Sequence, residues 1–287
     1  MDRAPATLPF TIASLHAYPV KSCGGITLDE MLVTETGFEF DRAWMLVDAD
    51  GEFLSQRELP RLALVRCELR HSELVLRAPG MLALHLRLDT VEQAVRVRVW
   101  GDEVAAFDMG DLAAQWFGNF LGQPLRLVRF DPEHRRLADP AWTGDIAAET
   151  AFSDGFPLLV ISQASLDALN ARLAARGVPA MPMARFRPNL VLTGLEAHGE
   201  DFLDELNLQT TDGPVRLRLV KPCPRCPMPN IDPETGVSGH EPGDTLAAYR
   251  ADPRVNGAVS FGMNAVVVQG LECRLRAGMT GLASLKF

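Results

Sequence analysis

Alternating hydrophobic and polar residues fill most of the first 128 positions, a pattern that predicts β-strands. The segment AVRVRVWGDEV places Val95, Val97 and Val99 on one face of a strand. Turn signals separate the apolar runs, at Asp50-Gly51 in RAWMLVDADGEFLSQ and at Pro79-Gly80 in SELVLRAPGMLALHLRL. We therefore expect this half of the chain to consist mainly of hairpins.

One helix is predicted in the first half, in GDLAAQWFGNFLG. Asp111 is a suitable N-cap, and Gly122 is a suitable residue to end the helix. Leu112, Trp116 and Phe120 follow one another at four-residue intervals and are expected to face the core together.

The clearest helix of the second half is SQASLDALNARLAARG. Ser162 is the expected cap, and Leu166, Leu169 and Leu173 have the spacing of a buried face. Gly177 marks the expected end.

The remaining segments complete a strand-dominated α+β fold. Strands are predicted in PNLVLTG, VRLRLV and NAVVVQG, and a short helix in DTLAAYR. The polar segment RFDPEHRRLADPAWTGD has no hydrophobic period and is expected to be a linker or crossing loop. It suggests two domains, residues 1–128 and 129–287.

Composition narrows the class of protein. The chain has 28 Lys plus Arg against 37 Asp plus Glu, a net charge of −9, which argues against a broad basic face for nucleic acid. No apolar run is long enough for a membrane span, so no membrane association is expected. Five scattered cysteines are unlike a disulfide framework, and we expect a protein of the reducing cytoplasm.

Candidate chemistry centres on LVKPCPRCPMPNIDPETG, which contains Cys223 and Cys226 among four prolines. A structural zinc site needs four ligands, and only His240 is a nearby third candidate. A redox dithiol needs a helix N-terminus, which prolines at these positions disfavour. One thiolate on a stiff loop, favoured by the charges of Lys221 and Arg225, is a third hypothesis. Two buried structural cysteines are the fourth, and these residues alone leave the choice open.

Five motifs in order give the chain a resemblance to a known family. They are YPVKSCGG, DRAWMLVDADGEFLSQRELPRL, FRPNLVLTG, KPCPRCPMPNIDPETG and the pair EPGDTLAAYR and FGMNAVV. Together they resemble the MOSC domain proteins of the amidoxime reducing type, from about residue 12 to residue 275. The resemblance implies an N-terminal MOSC β-barrel-like domain followed by a MOSC β-barrel domain with a few helices.

The resemblance also implies a molybdenum cofactor (Mo-molybdopterin) and no pyridoxal phosphate. In the family one cysteine, the second of the pair, ligates the metal, which makes Cys226 the metal ligand and catalytic residue, with Cys223 a neighbour. The positions that grip the cofactor fall on Lys21, Ser22, Arg42, Gly155, Phe156, Arg187, Asn189, Arg225 and Cys226, and an aromatic residue of the mitochondrial proteins is replaced by Asn264.

The activity that the resemblance implies is reduction of small N-hydroxylated compounds. No iron–sulfur cysteine cluster follows the MOSC segment, so electrons are expected from a separate donor protein of the ferredoxin or flavin reductase type. The alternative is a carrier that holds the cofactor, or sulfur on Cys226, without turnover of its own.

Overall fold

Strands form most of the computed structural model, which describes residues 7–90 and 93–286. The described part contains four α-helices: α1 Gly110–Leu121, α2 Pro140–Thr143, α3 Gln163–Ala175 and α4 Gly243–Ala247. The first eleven strands are β1 Thr7–Ala17, β2 Ile26–Leu28, β3 Glu30–Thr34, β4 Gly37–Phe38, β5 Trp44–Val47, β6 Arg66–Leu69, β7 Glu73–Arg77, β8 Leu84–Arg87, β9 Gln93–Val99, β10 Asp102–Asp108 and β11 Arg126–Phe130. The others are β12 Leu158–Ser162, β13 Leu190–Thr193, β14 Leu203–Gln209, β15 Pro214–Pro224, β16 Ala251–Asp252, β17 Ala258–Gln269, β18 Arg274–Arg276 and β19 Thr280–Leu285.

Seven strands close into a barrel in the order β12-β13-β1-β19-β14-β15-β17, and pairing of β12 with β17 completes the ring. Only the β12–β13 pair is parallel; the other six pairings are antiparallel. The interior is filled by apolar side chains such as Ile12, Leu15, Leu217 and Met263, all fully buried. Each contributes roughly 1.5–3 kcal/mol through burial. This confirms the expected MOSC-type barrel and the strand-dominated fold.

The barrel includes a strand from the N-terminal end of the chain. β1 lies between β13 and β19, which are both formed by residues of the second half. Of the other N-terminal strands, β2 pairs with β1, and β3 and β4 form a sheet with β18. The rest form a four-stranded sheet, β5-β11-β10-β9, and a three-stranded meander, β6-β7-β8; β5, β11 and the meander contribute to the apolar core around α1. The domain boundary between residues 128 and 129 stays a prediction.

Most predicted elements are present with the predicted exposure. β7 and β8 pair across the Pro79-Gly80 turn, and Val97 and Val99 on β9 are buried. At the Asp50-Gly51 turn the pairing is limited to one bridge between Val47 and Phe53. Ser162 caps α3 by accepting the amide hydrogen of residue 165, as expected.

The cap predicted for α1 is wrong, and the predicted face is confirmed for Trp116 and Phe120 but not for Leu112. The helix begins at Gly110, whose amide donates to the Asp108 carboxylate, and Asp111 is an exposed residue of the first turn. Leu112 is 67% exposed, whereas Trp116 and Phe120 are buried. Residues four apart are offset by about 40° around a helix, so residues spaced by four do not all lie on one narrow face. Leu112, the first of the three, therefore falls outside the buried face.

The segment expected to be a linker is held firmly by its own contacts. Asp139 caps the short helix α2, and Leu137 forms a bridge with Glu149. Arg136 is buried and donates to the Asp102 carboxylate and to the carbonyl oxygens of residues 151, 153 and 154. A buried guanidinium with this many acceptors fixes the segment against the rest of the protein, so it is not a free linker.

The proline-rich cysteine segment is also more regular than expected. β15 continues through Pro222 and Cys223 to Pro224, where the sequence indicated a loop. Along residues 219–224 the strand pairs only with β17, because its pairing with β14 ends at Arg218. Edge strands tolerate proline because one side of the backbone needs no partner. Two register shifts against β17, between Leu219 and Lys221 and between Pro222 and Pro224, lie at this part of the strand.

Candidate active site

All ten predicted site residues line one cavity of about 370 Å³. The cavity lies between residues that follow β1, the segment before β12, the segment before β13, and the end of β15. The predicted residues in its wall are Lys21, Ser22, Arg42, Gly155, Phe156, Arg187, Asn189, Arg225, Cys226 and Asn264.

The cavity is strongly cationic in a chain whose net charge is −9. Among the described residues its wall carries six basic side chains and one carboxylate, that of Asp154. Sequence reasoning missed Asp154 and Lys221 as wall residues and left out Arg57, which lies there too. The excess of cations fits an anionic ligand.

Unusual backbone conformations are concentrated in this wall. Eight non-glycine residues in the described part of the chain have a positive φ, and four of them line the cavity: Ser22, Arg42, Trp100 and Arg187, at φ 69°, 49°, 55° and 59°. Residues other than glycine rarely adopt this left-handed backbone conformation, and such conformations cluster at functional sites. The surrounding fold therefore holds these residues in fixed directions.

Arg42 is held by a buried network. Its Nη1 donates to the Asp41 carboxylate at 2.5 Å and to Asn189 Oδ1 at 3.1 Å. The side chain of Asp41 is fully buried, and its other oxygen accepts the backbone amide of Tyr18. Asn189 Oδ1 accepts hydrogen bonds from Arg42 and from the backbone amide of Leu159, and its side-chain NH2 group donates to a backbone carbonyl oxygen. Asn189 therefore orients Arg42.

Arg187 and Arg42 pack on the same aromatic ring. Both guanidinium groups lie over Tyr18, at 4.3 Å for Arg42 and 4.2 Å for Arg187. Burial lowers the pKa of Arg187, and the neighbouring charge of Arg42 lowers it further. Burial raises the pKa of Tyr18 to about 12, although both arginines act against this. The two like charges oppose each other, and an anionic ligand in the cavity would offset this repulsion.

Lys21 and Asp154 form the one ion pair inside the cavity wall. Lys21 Nζ donates to Asp154 at 2.5 Å and to the carbonyl oxygen of Phe152 at 2.7 Å. Burial lowers the pKa of Lys21, an effect that Asp154 opposes. Burial raises the pKa of Asp154, but Lys21 and the indole N–H of Trp100 outweigh it and hold that pKa well below its ordinary value. Asp154 is therefore ionised at neutral pH.

The two cysteines of the motif have different surroundings. Both cysteines line the cavity: Cys226 is exposed, whereas Cys223 is partly buried against the core and accepts a hydrogen bond from Arg225 Nη1 at 3.1 Å. Burial raises the pKa of Cys223 despite the charge of Arg225. The expectation that flanking cations favour ionisation of the pair is thus wrong for Cys223, because desolvation of a thiolate outweighs one nearby cation.

Arg225 has an unused donor. Its Nη2 donates to the carbonyl oxygen of Phe186, but its buried Nε has no partner within the described structure.

All five cysteines are free, and no three His, Cys, Asp or Glu side chains of residues 7–90 and 93–286 come together as a metal site would require. No helix in that part of the chain is long and apolar enough to span a membrane.

Comparison with known proteins agrees with this architecture. The MOSC N-terminal beta barrel domain matches residues 9–124, and the MOSC domain matches residues 147–280. Mitochondrial amidoxime reducing component 2 of Rattus norvegicus is 37% identical over 258 residues, which cover 85% of this chain and 74% of that protein. The chain belongs to the MOSC family of amidoxime reducing components.

Two further proteins are similar to the chain, one over most of its length and one over a part of it. Mitochondrial amidoxime-reducing component 1 of Homo sapiens is 37% identical over 255 residues, covering 85% of this chain and 73% of the human protein. A protein of Bordetella bronchiseptica with a solution structure is 34% identical over 38% of this chain and 92% of its own, with a TM-score of 0.30.

Proposed function

We propose that this MOSC protein is a molybdenum-cofactor-dependent reductase of N-hydroxylated compounds, supplied with electrons by a separate donor protein. The observation that carries the proposal is the single cavity that combines six cations with the exposed thiol of Cys226. The names of the relatives, amidoxime reducing components, suggest the substrate class.

The residues of the cavity fit a pterin cofactor with a terminal phosphate. Arg42 and Arg187, which both pack on Tyr18 and line the cavity, would hold the anionic end. The unpartnered Nε of Arg225 would donate to the cofactor near Cys226, and the soft sulfur of Cys226 is a suitable ligand for molybdenum. Asn189 and Asp41 would position Arg42 without touching the ligand.

The reaction requires two electrons and two protons for each N–O bond: an amidoxime becomes an amidine, and its oxygen leaves as water. The bound cofactor supplies the oxygen-accepting redox chemistry. The protein fixes the cofactor and orients the substrate. Asp154 stays ionised, so it is a poor proton donor, and we assign the protons to water that enters through the open mouth.

The sequence shows no motif for a second electron-transfer cofactor. It contains no iron–sulfur cysteine cluster and no G-x-G-x-x-G dinucleotide motif. We propose a ferredoxin or a flavin reductase as the donor. The cytoplasmic location expected from the cysteines stays a prediction.

Metal content and turnover with a chemical reductant test the proposal. Protein from a host that makes molybdopterin should contain close to one molybdenum per chain and should reduce benzamidoxime with reduced viologen dye. Cys226→Ser should abolish turnover, because a hydroxyl is a poor ligand for a soft metal. Cys223→Ser is the matched control: serine keeps an acceptor for Arg225, and activity should fall far less.

Three results would contradict the proposal in different ways. Zinc at one per chain without molybdenum would revive a metal site of another kind. Equal loss in the two cysteine variants would show that the pair acts as a unit. Molybdenum-loaded protein that reduces no N-hydroxylated compound with the dye would favour the carrier.

A further inference from the structure

Lys221 differs from the other five cations of the cavity. It lies on β15 opposite Asn264 of β17, five residues before Cys226, and its side chain lines the same wall. No hydrogen-bond acceptor or carboxylate of the described residues is within bonding distance of its Nζ. The positive charge of Lys221 is therefore not neutralised by the protein.

The other cations are engaged. Lys21 pairs with Asp154, and Arg42 pairs with Asp41. Arg57 donates to Ser55, whereas the guanidinium groups of Arg187 and Arg225 donate to backbone carbonyl oxygens and, for Arg225, to a cysteine sulfur. These contacts aim each group in a fixed direction. Lys221 alone keeps all three ammonium hydrogens for solvent or for a ligand.

Two aromatic rings set the position of this free cation. The Lys221 ammonium lies 5.0 Å from the ring centre of Trp142 and 5.6 Å from that of Phe156. Trp142 is brought there by α2, the one-turn helix capped by Asp139. Cation–π attraction at these distances restrains the ammonium without neutralising it. Phe156 lies in the cavity wall beside it, so an apolar planar surface adjoins a free positive charge.

We propose that Lys221 is a specificity-determining residue that favours planar N-hydroxylated substrates carrying a carboxylate. The inference rests on the proposed reductase function, because it assigns the anion to the substrate that approaches Cys226. Lysine binds as a point charge and imposes little geometry on its partner, so the position of the carboxylate on the ring can vary.

The experiment compares three substrates in molybdenum-loaded protein: benzamidoxime, 4-carboxybenzamidoxime and 4-(aminomethyl)benzamidoxime. Lys221→Gln should lower the ratio of kcat/KM for the carboxylate to that for the neutral compound by about three- to tenfold, as for a partly exposed ion pair. Lys221→Arg should largely restore the ratio. High salt should reduce the wild-type preference and leave the variant unchanged.

Binding and pterin content separate the possible failures. Calorimetric titration with 4-carboxybenzamidoxime measures the same preference without turnover, so weaker binding to Lys221→Gln supports the inference even if no substrate is reduced. An unchanged ratio and unchanged affinity would overturn it. A marked loss of pterin from Lys221→Gln would also overturn it, because Lys221 would then bind the cofactor.

Discussion

Replacing Arg42 by alanine should destabilise the protein even when no cofactor is present. The side chain of Asp41 is 0% exposed and that of Arg42 is 14% exposed, so the variant leaves a buried carboxylate without its cation. Removing one partner of a buried pair costs about 3–5 kcal/mol. The amide of Tyr18 still donates to Asp41, which places the expected loss at about 3 kcal/mol by the same rule. The left-handed backbone adds nothing, because arginine already carries a Cβ.

The assay is thermal unfolding of protein from a host that cannot make molybdopterin, which separates the fold from cofactor binding. A loss of about 3 kcal/mol corresponds to a Tm lower by about 5 °C, because the entropy of unfolding is about 2.1 cal/mol/K for each of the 287 residues. The double variant Asp41→Asn, Arg42→Ala should recover part of the loss, because the unpaired charge is gone. Arg87→Ala, at an exposed pair with Asp89, is the matched control and should change Tm little. A Tm for Arg42→Ala within 2 °C of wild type would refute the buried-pair reasoning.

Two further predictions concern cofactor retention and pH. Arg187→Ala should weaken pterin binding by about ten- to hundredfold, the equivalent of roughly 1.5–3 kcal/mol. The fluorescence of pterin released from the purified variant measures this loss. A full pterin content would show that Arg187 has a structural role only and does not bind the cofactor. Burial lowers the pKa of His198 from 6.5 to about 4, so its neutral form is favoured in the native state. The contribution to stability is then fully present above pH 6.5 and is lost as the pH falls toward 4. His198→Asn, which suits the left-handed backbone at this position, should flatten that decline in scanning calorimetry; parallel curves for the two proteins would contradict it.

The sequence by itself determined the secondary structure where buried apolar residues recur with the period of a strand or of a helix. Val97 and Val99 point inward because a strand alternates its faces, and Leu166, Leu169 and Leu173 are buried because a capped helix repeats every 3.6 residues. The motifs also identified the family and named ten residues that the fold brings to one cavity. The hydrophobic pattern could not predict this cavity, and the ten residues were named from the family resemblance.

Only the tertiary structure decided the features that depend on distant neighbours. Pro222 and Pro224 belong to a strand because β14 ends before them and leaves that side of β15 unpaired. Cys223 keeps its proton because burial outweighs the cation beside it, and Lys221 keeps its charge free because no acceptor of the described chain reaches it. Several of the deciding contacts join residues far apart in the chain, such as Lys21 and Asp154, and no local period in the sequence encodes them.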